Sequence, residues 1–102
     1  MFSFLKNLFG PGTDYKALLG QGAIIVDVRT PGEYKSGHIK EARNIPVDAI
    51  RSKVNELKKL NKPVITCCAS GARSGMAKSI LKSNGIDAYN GGPWTSLQSK
   101  IR

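Results

Sequence analysis

The pattern of apolar and polar positions changes register several times along the chain, and each change predicts an element. Residues 23–28, Ala23-Ile24-Ile25-Val26-Asp27-Val28, are almost continuously apolar and β-branched, as in a strand covered on both faces. A second apolar run, 63–67, leads into Cys68, and helical spacing follows over 74–83 at Met76, Ala77, Ile80 and Leu81. Helical steps also recur over 49–60 at Ile50, Val54 and Leu57, with Asp48 as the expected N-cap and Arg51, Lys53 and Lys58 on the other face. Shorter signals complete the outline. Thr13 is expected to cap a helix over 14–19, and Glu33-Tyr34-Lys35 to form a helical turn. Residues 42–45 and 86–90 read as short strands, Gly91-Gly92 as a flexible bend, and 93–98 as the start of a closing helix. Strands alternating with helices predict an α/β protein built on a parallel sheet.

Length and composition bound this outline. A chain of 102 residues forms one domain. We divide it into an N-terminal apolar segment and linker over 1–12, with Phe2, Phe4, Leu5, Leu8 and Phe9 before Gly10-Pro11-Gly12, and a domain over 13–102. The apolar segment is too short for a firm membrane anchor, and it lacks the basic start and cleavage site of a secretory signal. Formal charge is +9, which favours small anions and an acidic partner protein. Nucleic acid is not expected, because no dense basic run with interleaved aromatics is present.

Two adjacent cysteines, Cys67 and Cys68, and one histidine, His38, leave no disulfide framework, no metal set and no sign of a cofactor. A free thiol suits a reducing compartment, so the cytoplasm is the expected location. Strand alternation puts the two sulfurs on opposite sides of the backbone, with Cys67 expected to pack in the strand. Cys68 opens the stretch Cys68-Ala69-Ser70-Gly71-Ala72-Arg73-Ser74, which joins a strand to the start of a helix. Unpartnered amides and the helix dipole there favour thiolate over thiol. Ala69, Gly71 and Ala72 are small enough for the backbone to curl around the sulfur. Arg73 adds a permanent cation able to fork onto an anion. Asp27, Arg29 and Glu33 are expected to form a supporting ion-pair and hydrogen-bond network, and His38 to serve packing and hydrogen bonding.

Asp27-Val28-Arg29-Thr30-Pro31-Gly32-Glu33-Tyr34, then Gly37-His38-Ile39, then Ala42-Arg43-Asn44-Ile45-Pro46, resembles the amino-terminal signature of rhodanese domains. The Cys68 to Ser74 stretch is similar to their active-site loop, and Gly91-Gly92 with Trp94 to their carboxyl-terminal motif. The resemblance implies a single-domain rhodanese with a three-layer fold, in which a four- or five-stranded parallel sheet is flanked by helices. It further implies a sulfurtransferase that moves sulfane sulfur from thiosulfate or a persulfide donor to a thiol or cyanide acceptor through a Cys68 persulfide. The loop from Ala69 to Ser74 would bind the small anionic donor.

Other readings stay open at this level. One is a protein-to-protein sulfur relay, and another a non-catalytic binding module of the same fold. A phosphatase or arsenate reductase is disfavoured, because only four residues separate Cys68 from Arg73 where the related phosphatases have five.

Overall fold

The computed structural model describes residues 12–102, so all but the last residue of the apolar segment and linker over 1–12 lies outside the described residues. The chain runs α1 (Tyr15–Gly20), β1 (Ile24–Asp27), α2 (Pro31–Lys35), β2 (Arg43–Asn44), a 3₁₀ turn (Val47–Ala49), α3 (Ile50–Leu60), β3 (Val64–Cys68), α4 (Ala72–Ser83), β4 (Ala88–Pro93) and α5 (Trp94–Ile101). All four strands are parallel, in the order β2-β1-β3-β4. Among the described residues the sheet therefore has the lower of the two expected strand numbers.

Strand alternation divides the core in two. Val26, Val28, Val64 and Cys68 face Ile50, Val54, Leu57, Ala77 and Leu81 of α3 and α4. Ile25, Ile65 and Cys67 face the opposite layer, where Leu97 is buried and Tyr15, Leu18, Tyr34 and Trp94 pack against them. The three-layer α/β architecture is thus the expected one. Val64, Ile65, Thr66, Cys67 and Cys68 of β3 are all buried, because helices cover both faces of this central strand.

Several boundaries differ from the sequence reading, each for a local reason. Asp14, not Thr13, caps α1 by accepting a hydrogen bond from the Ala17 amide at 3.0 Å. Asp48 lies inside the 3₁₀ turn and makes no capping bond, so α3 starts at Ile50 without a side-chain cap. The helix after the cysteine begins two residues early, at Ala72. At Gly91-Gly92 the strand continues, but the pairing of β4 with β3 shifts register between Thr66 and Cys68 and Gly92 takes φ +78°, so the expected bend is a bulge inside β4. A Cβ on Gly91 would lie 2.9 Å from the Thr66 carbonyl oxygen and from Leu97, so glycine here permits close packing of β4 on β3 and α5.

Candidate active site

Cys68 is the last residue of β3, at the carboxyl edge of the sheet, where open parallel sheets place their ligand sites. Residues 69–71 turn the chain, and Gly71, with φ +102°, supplies the left-handed backbone that starts α4. That turn aims two amides back at the sulfur: Gly71 N–H donates to Sγ at 3.0 Å and Ser74 N–H at 3.4 Å. Ser74 Oγ lies 3.3 Å from the same sulfur. Ala69, Ser70 and Ala72 are exposed on the rim, and the Ala72 amide bonds Ser70 Oγ at 3.4 Å.

Cys68 itself has 0 % of its surface exposed, and burial alone would push its thiol up. Bonds from the Ser74 hydroxyl and from the amides of Ser74, Gly71 and Ser70 act the other way, and the thiol ends below its ordinary range. Cys67 shows the contrast. It faces the other core layer, and burial, with the nearby Asp27 charge, pushes its thiol up to about 12. One backbone step separates a sulfur poised to ionise from one held neutral.

Arg73 forks, and the anion it meets is Glu33. Its two terminal nitrogens donate to Glu33 Oε1 at 2.6 Å and Oε2 at 3.0 Å, and this pairing, with the Thr30 amide, lowers the Glu33 carboxyl to about 2. Glu33 also closes a capping box with Thr30 at the start of α2. The loop after Cys68 is thereby tied to α2.

Asp27 and Arg29 form a separate buried pair, with Arg29 NH2 2.7 Å from Asp27 Oδ2. Arg29 also donates to the Gly37 carbonyl at 2.7 Å and the Glu33 carbonyl at 3.2 Å, and its guanidinium lies 4.8 Å from the Trp94 ring centre. This pair braces the turn after α2. His38 is exposed. It stacks on Tyr34 and places Nδ1 2.8 Å from the Tyr34 carbonyl, where only an N–H suits the oxygen.

Sequence reasoning missed Asn90. Its Oδ1 accepts from Ser74 Oγ at 2.7 Å and from the Gly92 amide at 2.9 Å, and its Nδ2 donates to the Gly71 carbonyl at 3.2 Å. A polar amide in a short strand, just before two glycines, was the available signal.

The site is thus a thiol at the end of the central strand of a parallel α/β fold, bonded by two backbone amides and facing a hydroxyl. A family model described as "Rhodanese-like domain" matches residues 12–93, and the chain belongs to that family. It is 42% identical over 69 residues to YqhL of Bacillus subtilis, covering 67% of this chain and 54% of that relative. The chain therefore spans about half the length of YqhL. It is 33% identical over 81 residues to the thiosulfate sulfurtransferase GlpE of Pseudomonas syringae, covering 78% of this chain and 76% of GlpE. Among solved structures it superposes on a rhodanese-like domain protein from Staphylococcus aureus with TM-score 0.70 and 37% identity, over 82% of this chain and 81% of that one. A rhodanese with anions from E. coli gives TM-score 0.67 and 30% identity, over 74% of this chain and 91% of that one. Relatives named thiosulfate sulfurtransferase, and one from Bacillus subtilis named "Putative sulfur carrier protein YrkF", are among the proteins the chain is similar to.

Proposed function

We propose that the protein is a thiosulfate or persulfide sulfurtransferase and that Cys68 carries the sulfur. The observation that carries this reading is the pair of amides, Gly71 and Ser74, aimed at Cys68 Sγ. The Cys68 thiolate attacks the outer sulfur of thiosulfate, the S–S bond of the donor breaks, and sulfite leaves with the bonding electron pair. Cys68 then holds a persulfide whose terminal sulfur bears the negative charge. The Gly71 and Ser74 amides, already aimed at Sγ, stabilise Cys68 in the two steps where it attacks and departs as thiolate. Cyanide or an acceptor thiolate next attacks the terminal sulfur, and Cys68 departs as thiolate, completing a double displacement.

Since Cys68 is fully covered, a donor reaches the sulfur only when the groups over it shift. Arg73 is engaged by Glu33, so an incoming sulfonate would compete with that carboxylate for the guanidinium. Thiocyanate formation from thiosulfate and cyanide tests the reading. Cys68→Ser is expected to abolish turnover, and Cys67→Ser to retain it within about threefold, since Cys67 acts in packing alone. Parent-level turnover in Cys68→Ser would overturn the assignment.

A further inference from the structure

Ser74 has one hydroxyl proton and two neighbours that compete for it. On one side is Asn90 Oδ1 at 2.7 Å, and on the other is Cys68 Sγ at 3.3 Å. The orientation of the Asn90 carboxamide is fixed by its other contacts: the Gly92 N–H needs an acceptor and the Gly71 carbonyl a donor, so flipping the amide would break both bonds. Oδ1 can only accept, so the short contact takes the Ser74 proton. Toward the sulfur Ser74 then presents lone pairs, which suit a neutral thiol donating S–H. Once Cys68 ionises, the requirement reverses, because a thiolate accepts and cannot donate. The Ser74 hydroxyl must turn from Asn90 to the sulfur, leaving Oδ1 with the Gly92 amide alone.

We propose that Asn90 is a positioning residue that acts through Ser74, competing with Cys68 for one proton and so setting how readily the thiol ionises. The inference rests on the reading of Cys68 as the sulfur carrier. In the persulfide the charge sits on the terminal sulfur and Sγ is again neutral, so the Ser74 proton returns to Asn90. Asn90 thus favours the two states in which Sγ is uncharged, the thiol and the persulfide, over the bare thiolate between them. Two features keep this competition in register. The Ser74 carbonyl accepts from Thr66 Oγ1 at 2.8 Å, which pins the first turn of α4 to β3. The Asn90 carbonyl accepts from Tyr15 OH at 2.9 Å, which fixes β4 from the other face. The charged and titratable groups that sense Cys68 are Arg73 on α4 and Cys67 on the opposite face of β3, and neither is altered by changes at Asn90 or Ser74.

Thiolate absorbance near 240 nm, followed against pH, tests this without any transfer reaction. Cys68→Ala serves as the blank, and Cys67 stays protonated because its pKa is pushed up to about 12. Four proteins are compared: the parent, Asn90→Ala, Ser74→Ala and the double variant. Removing Asn90 is expected to free the Ser74 proton and lower the Cys68 pKa by about half a unit or more, roughly threefold more thiolate at fixed pH below the midpoint. In the Ser74→Ala background the same change is expected to give no lowering. No shift, a rise, or an equal shift in both backgrounds would overturn the proposal.

Should Asn90→Ala not fold, judged by its thermal transition, Asn90→Asp decides. A carboxylate keeps both acceptor bonds and grips the Ser74 proton harder, so a rise of about one unit is expected with Ser74 present and clearly less without it. Equal rises would leave only through-space charge and overturn the proposal. Because no sulfur is transferred, a negative result here leaves the persulfide reading standing.

Discussion

Glu33 joins the loop after Cys68 to α2 through a carboxylate bonded by Thr30 and by both terminal nitrogens of Arg73. This pairing lowers its pKa from 4.5 to about 2. A carboxyl whose folded pKa is depressed contributes stability above its unfolded pKa and loses it as pH falls through the folded value. The contribution is therefore fully present at neutrality and disappears between about pH 4.5 and about pH 2. Solvent reaches the pair, so the effect is modest. Between those limits the parent is expected to lose urea resistance more steeply than Glu33→Gln, as read from midpoints at pH 7, 4 and 3. Parallel curves would contradict a pairing that holds in solution.

At this same scale Cys68, Gly71 and Ser74 were legible in the sequence, because a helix start, a glycine and a cysteine are contiguous. Asn90 was not. It comes to the site through the pairing of β4 with β3, and spacing in sequence carries no trace of that register.

At the scale of elements, β4 shows what a glycine can mean. The sequence reading took Gly91-Gly92 as a bend, because glycine weakens strands and marks turns. In the structure β4 runs through both residues to Pro93 with a bulge against β3 at this point, and Gly91 fills a space with no room for a methyl group. Its added Cβ would meet the Thr66 carbonyl oxygen at 2.9 Å and Ile65 at 3.0 Å. Gly91→Ala is expected to destabilise the fold by about 1–3 kcal/mol through overpacking. Gly32→Ala, where the Cβ would meet open space within α2, is expected to be neutral or stabilising by up to about 1 kcal/mol. Equal urea midpoints for the two variants would refute this account of Gly91. Helix ends were the least legible feature, since Thr13 and Asp14 are both good caps and only the contact with Ala17 decides between them.

For the whole molecule, the arrangement of layers followed from the sequence more directly than any boundary. A parallel sheet needs cover on both faces, and alternation along β1 and β3 sends Val26, Val64 and Cys68 to one cluster and Ile25, Ile65 and Cys67 to the other. That division gives the two adjacent cysteines different chemistry within one strand. Among the described residues no helix is long and apolar enough to cross a membrane, and no cluster of metal-ligating side chains is present.

The central claim is that the amides of the Cys68 loop hold a sulfur anion able to carry a second sulfur. Intact mass after incubation with thiosulfate tests it most directly. The parent and Cys67→Ser are expected to gain about 32 mass units, reversed by cyanide, while Cys68→Ser gains nothing, as follows if the activated thiolate is the carrier. An equal gain in Cys68→Ser, or none in the parent, would contradict it.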